Sequence, residues 1–278
     1  MIGCEVLSME IPPSHPYHDG PHRTIPERSY RNPPVIEALC EIYFADSIWD
    51  DTIPGAFYER VKNEFPKKQQ QEIQEAQIVL SSGTASAGVQ RPPPRMQFVS
   101  EQGNLMIQVA KNLLVVNQLR PYPHFAEWEP VVYQGFAAYS EVALPQKVDR
   151  IGLRYINRIE IPGAQIAMED YFTIYPQLPK SLGNIHGSFL VRVEIPQAEQ
   201  EHNEEHRVLI TFGTAPLAKP IKEKQVFMLD LYDIATLDVL TDEIELKKQL
   251  RQAHNNVVMA FEDSITDRLR VLLETEVQ

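Results

Sequence analysis

Apolar and polar residues alternate from Val35 to Phe44: Ile36, Ala38, Cys40, Ile42 and Phe44 fall on one side, Glu37, Leu39, Glu41 and Tyr43 on the other. A period of two belongs to a strand, so this segment predicts a half-buried strand with acids on its second face. Pro33 and Pro34 hold the approach to it extended. Phe57, Val61 and Phe65 then recur at helical spacing, with Pro54 suited to a first turn and Pro66 ending the run. Residues 67–95 contain K-K-Q-Q-Q-E, S-S-G-T-A-S-A-G and R-P-P-P-R, which predict an irregular insertion with one strand near residues 78–80. M-Q-F-V-S-E-Q-G-N-L-M-I-Q-V-A predicts a hairpin turning at Gly103 and Asn104, and Leu113–Leu119 a further strand. Phe125, Trp128, Val132, Phe136 and Tyr139 line one face of a helix that ends before Pro145.

The rest of the chain repeats this order. V-D-R-I-G-L-R-Y-I-N-R-I-E-I, from Val148, predicts a long strand. A short helix at 168–172 follows, then strands at 188–195, 207–212 and 226–232, then a helix over 242–273 with Leu246, Leu250, Val257, Phe261, Ile265 and Leu269 among its apolar members. The expected fold class is therefore α+β: an antiparallel sheet with long packing helices, in two β-α-β-β-β-α halves at 31–146 and 147–278. A flexible arm rich in Pro and His precedes them at 1–30. Helices gathered on one face leave the other face of such a sheet open to a ligand or partner.

Composition narrows the function classes. The chain has 278 residues, 43% hydrophobic and 23% charged, enough to bury a large core without disulfides or metal. Cys4 and Cys40 sit in unlike surroundings, which disfavours a structural disulfide and fits a reducing compartment. No apolar run approaches the ~20 residues of a membrane helix and the first residues lack a leader pattern, so a cytoplasmic protein without membrane contact is expected. A formal charge of -12, from 38 acidic against 26 basic residues, disfavours nonspecific nucleic-acid binding. No dinucleotide fingerprint, P-loop, nucleophile elbow or C-x-x-C pair occurs, so neither a cofactor nor an enzyme is expected.

Three clusters carry candidate chemistry. His202, Glu205 and His206 match H-x-x-E-H, which on a helix sets two zinc ligands and a base on one face; here the segment falls in a polar link between two strands, where a solvated loop is the plainer reading. His15, His18, Asp19 and His22 offer imidazoles to a transition metal, against the reading of a free arm. Arg150, Arg154 and Arg158 share strand parity and make a basic stripe that Arg192 extends if the register brings it near. Guanidinium groups suit a phosphate, a carboxylate or a nucleic-acid backbone; the alternative is cross-strand pairing with Glu37, Glu41 and Glu194.

R-N-P-P-V-I-E-A-L-C-E-I-Y-F, I-G-L-R-Y-I-N-R-I and the closing H-N-N-V-V-M-A-F-E-D-S-I-T-D-R-L-R resemble a sporadically distributed prokaryotic family of roughly this length. That family is marked by an N-P-P-x-x-E opening and a G-L-R-Y-x-N-R centre. The resemblance runs from about residue 31 to the C-terminus and implies no activity, cofactor or catalytic residue. It does mark Asn32, Glu37, Arg154, Asn157, Arg158, His254 and Glu262 as candidates for a shared site or internal network. The resulting expectation is a noncatalytic binding or interaction protein that presents Arg150, Arg154, Asn157, Arg158, Arg192 and Glu37 on a sheet face to a protein partner or anionic ligand. A metal-dependent hydrolase and a nucleic-acid-binding module are the alternatives.

Overall fold

A computed structural model describes residues 28–71, 75–81, 84–90, 94–179, 181, 187–197, 205–215, 223–240 and 242–274. Strand β1 (Val35–Ala45) leads to helix α1 (Ile53–Val61), and β2 (Lys67–Gln71), β3 (Glu75–Ser81) and β4 (Thr84–Gln90) follow. Next come β5 (Arg95–Val99), β6 (Leu105–Ala110), β7 (Leu113–Leu119) and helix α2 (Phe125–Ala143). The second half runs β8 (Lys147–Pro162), a short 3-10 turn (Met168–Asp170), β9 (Leu190–Pro196), β10 (Glu205–Thr214), β11 (Lys224–Leu240), α3 (Glu243–Ser264) and α4 (Asp267–Glu274).

Nine strands form one antiparallel sheet in the order β2-β5-β6-β7-β1-β8-β11-β10-β9, and β3 pairs only with β4. The α+β class holds; the repeated order holds only in part, since β2, β3 and β4 are extra in the first half and a three-residue 3-10 turn stands where the second half's short helix was expected. In each half the first strand pairs with the last, and β1 pairs with β8 at the centre through Ala38↔Tyr155 and Ile42↔Ile151. The two halves thus share one sheet, related by a pseudo-two-fold through its middle.

Parity decides which face is covered. Ala38, Cys40, Ile42 and Phe44 of β1 join Leu114 and Val116 of β7, Leu153 of β8 and Leu229 and Leu231 of β11 in a continuous core. Trp128, Val132 and Tyr139 of α2 and Leu250 and Val257 of α3 complete that core from the same side, and the Tyr139 ring stacks on Phe44 at 4.5 Å. Helices α2 and α3 lie side by side and antiparallel, since Phe125, Glu129 and Tyr133 meet His254, Arg251 and Lys247 in turn. Asp242 caps α3 by accepting from the Ile244 amide, and Glu243 and Glu245 suit the positive end of the helix dipole.

Three expectations are corrected. Residues 67–95 hold β2 and the β3–β4 ladder rather than one short strand; the polar K-K-Q-Q-Q run pairs because β5 offers it a free edge. The helix expected over 242–273 breaks at Ile265, whose extended backbone bridges Phe172 while the Thr266 amide donates to the Tyr171 carbonyl. Strand β11 runs well past Tyr232, to Leu240, with Asp233 buried beneath α3, where Asn256 donates to it.

Gly152 makes one cross-sheet contact possible. Tyr232 leans over it from β11 so that its hydroxyl donates to Glu41 Oε2 on β1 at 2.5 Å, and a Cβ at residue 152 would collide with that hydroxyl and ring. Gly152→Ala is expected to lower stability by about 1–3 kcal/mol, the usual cost of overpacking. Urea unfolding checks this, and an unchanged midpoint would mean that the ring moves aside freely.

Candidate functional site

Sheet and helices part at one end, where residues 28–35 cross toward α3 and leave a cavity of about 950 Å³. Its floor is Tyr155 and Asn157 on β8 and Leu231 on β11; His254, Val258 and Phe261 of α3 form one wall. The facing wall is Tyr30, Pro33 and Pro34, with Tyr122 and Phe125 at the entrance to α2. Three segments remote in the chain thus meet around one space.

Its polar groups form a chain. The Tyr122 and Tyr155 hydroxyls lie 2.8 Å apart, and Tyr155 Oη is 3.2 Å from His254 Nδ1. The His254 ring stacks flat on Phe125, with centroids 3.9 Å apart and planes 5° from parallel. Burial pushes the His254 pKa down to about 4, with a small opposing effect from Glu129, so the ring is neutral at pH 7. Burial likewise raises both phenols. A neutral imidazole has one N–H. In the tautomer in which Tyr155 donates to Nδ1, that proton sits on Nε2, which has no protein partner among the described residues and is available to a molecule in the cavity.

Other lining groups are already committed. Glu262 accepts from the Tyr30 hydroxyl at 2.6 Å and from Arg270 Nε at 2.8 Å, and the Asn32 amide donates to the Leu273 carbonyl at 3.0 Å. These contacts clamp the 28–35 approach against α3 and α4. Asn157 is buried and its side-chain amide donates to the Leu229 carbonyl across the sheet at 3.0 Å. Asn157 and Glu262 therefore shape the cavity more than they offer it free groups, and Asn32 does not line it.

The arginine stripe stands on the opposite, helix-free face, and Arg154 and Arg158 are paired within the protein. Arg154 grips Asp230 through two nitrogens, with Nε to Oδ1 at 2.7 Å. Arg158 pairs with Glu160, which Lys224 also holds, and Lys224 followed by Arg158 keeps the Glu160 carboxyl below its ordinary range. Arg150 lies over the Tyr43 ring at 3.8 Å. The expected partners are corrected accordingly: Glu41 accepts from Tyr232, Glu37 from Asn117 and Glu194 from Arg207. Arg192 does not extend the stripe, because β9 lies three strands from β8, roughly 14 Å away at the usual spacing.

Glu37 ends a ladder of amides on that face. Gln69 donates to Gln97, Gln97 to Gln108, Gln108 to Asn117, and Asn117 to Glu37, at 2.7, 3.2, 2.9 and 2.7 Å. The polar residues of five adjacent strands are thereby satisfied side by side.

Of the H-x-x-E-H cluster, His202 and the side chain of Glu205 lie outside the described residues, as do His15, His18, Asp19, His22 and the arm through residue 27. His206 is not in a solvated loop. It is the second residue of β10, its ring buried, Nδ1 at 2.8 Å from Asp233 Oδ1 and Nε2 at 2.9 Å from Gln249 Oε1. Asn256 donates to the other Asp233 oxygen at 2.8 Å. Both ring nitrogens are engaged, and a metal on His206 would have to displace one of these partners. Among the described residues no three His, Cys, Asp or Glu side chains converge as a metal site, and no helix is long and apolar enough to cross a membrane.

No protein-family model and no curated protein matches this chain.

The His254 shift fixes a pH dependence. The unfolded ring takes its proton near pH 6.5 and the folded one only near 4, so His254 favours the native state above pH 6.5 and that contribution fades as the pH falls toward 4. Urea unfolding from pH 7 to pH 4 should therefore show a shallower loss of stability in His254→Gln than in the wild type. Equal slopes would place the proton elsewhere.

Proposed function

We propose that this is a noncatalytic binding protein whose ligand is a small, largely apolar or aromatic molecule held in the cavity beneath α3. The carrying observation is a space of about 950 Å³ with aromatic and proline walls, where Tyr122, Tyr155 and neutral His254 bring a few polar atoms together. Such a combination is the usual anatomy of a small-molecule site: apolar walls supply affinity and a few fixed polar groups supply orientation. The ligand would present one acceptor to His254 Nε2–H and its flat or branched body to Tyr30, Phe125 and Phe261.

The arginine face supports this role less well than the sequence suggested. An anion at Arg154 must compete with Asp230, already bound through two nitrogens. One hollow of mixed charge, lined by Glu160 and Glu223 as well as by basic side chains, supports an anionic ligand as a second reading through Arg120. Arg120, Arg158 and Lys224 border an adjoining hollow of about 1100 Å³ on the far side of Pro33 and Pro34. Among the described residues Arg120 donates only to the Pro34 and Val35 carbonyls, at 3.4 and 3.3 Å, and burial and then Arg158 lower its pKa. The hydrolase reading has lost His206 to Asp233 and Gln249.

Titration with 1-anilinonaphthalene-8-sulfonate is expected to show one saturable site with micromolar affinity, weakened at least tenfold in Val258→Trp, whose indole projects into the cavity beside His254 and Phe261. Arg154→Ala should leave that affinity unchanged. Equal binding by wild type and Val258→Trp would remove the cavity from consideration.

A further inference from the structure

Strand β9 closes one end of the sheet. It pairs with β10 on one side, through Val193↔Ile210 and Arg192↔Thr211, and among the described residues its other edge has no partner. The opposite end is closed by β2, Lys-Lys-Gln-Gln-Gln, whose short length and lysines discourage further pairing. Strand β9, Leu-Val-Arg-Val-Glu-Ile-Pro, is built differently. Leu190 is 73% exposed, and Val193 and Ile195, on the helix-covered face of the sheet, are each 39% exposed because α3 does not reach this far. An apolar edge with free backbone donors and acceptors invites another strand.

The order of residues says which strand fits. We propose that two copies of this chain pair antiparallel through β9, with Val193 on the two-fold axis. In that register Arg192 of each copy faces Glu194 of the other, Val191 faces Ile195, and Val193 faces itself. Centring the pair one residue either way sets Arg192 against Arg192 or Glu194 against Glu194, and like charges directly opposite each other are unfavourable. Shifting the centre to a point between residues sets charged positions against valines. The Val193 register alone matches unlike charges and apolar pairs, and it keeps both helix layers on one side of a continuous eighteen-stranded sheet.

Such a contact is isologous and closes on itself, so it yields a dimer and not a filament. Pro196 has no N–H, so the full pairing is confined to Leu190–Ile195 and the interface is small, and exposed ion pairs select the register more than they add affinity. The dimer is therefore in concentration-dependent exchange with the monomer.

Sedimentation velocity across low to high micromolar concentrations tests the pairing with two variants, Arg192→Glu and Glu194→Arg. The wild type is expected to dimerise. Each variant alone opposes like charges and is expected to stay monomeric with an unchanged circular dichroism spectrum. An equimolar mixture of the two restores both unlike pairs and should recover dimer. A monomeric wild type overturns the proposal; so do single variants that still dimerise, which would place the interface elsewhere. A mixture that stays monomeric overturns the register.

Discussion

The antiparallel pairing of β1 with β8 is the contact on which the other elements depend. Each strand is flanked on its outer side by the last strand of its own half, so the central ladder joins two units that would otherwise each end in an exposed apolar edge. It also places α2 beside α3, because each helix follows the strand next to the centre. The aromatic contacts between those helices, and the cavity at their end, are consequences of that seam.

Much of this organisation was legible in the residues. The period-two runs around Cys40 and Leu153 gave the central strands and their buried faces, because a half-buried antiparallel strand writes its environment into alternate positions. Helix α2 was legible for the equivalent reason. What failed was wherever partners outweighed local pattern. A row of lysines and glutamines became β2 because β5 needed a neighbour, and β11 continued through Asp233 because His206 and Asn256 satisfy that carboxylate from two other elements. Neither fact is visible within a window of ten residues.

The candidate site was legible only in fragments. Parity placed Arg150, Arg154 and Arg158 together correctly, but spacing along one strand says nothing about which acid the neighbouring strand supplies, and Asp230 was passed over. The cavity groups Tyr122, Tyr155 and His254 come from a strand-to-helix link, the middle of the sheet and a C-terminal helix. Among them, only His254 stood out beforehand, through the family resemblance. The three polar groups span 132 positions of chain, from Tyr122 to His254, and leave no motif because no short segment contains two of them.

The amide ladder that ends on Glu37 bears on how the sheet finds its alignment during folding. Every link donates in the same direction, so the row has a polarity, fixed by a carboxylate that can only accept. Moving any of these strands along its neighbour by one residue would turn its amide under the helices and leave the amides on either side unmatched, while exposing a row of core residues. Hydrophobic burial alone discriminates poorly between alignments two residues apart, since both keep the same face inward. The ladder penalises those as well, so it acts as a vernier: the core sets which face is inside, and the amides select which rung each strand occupies.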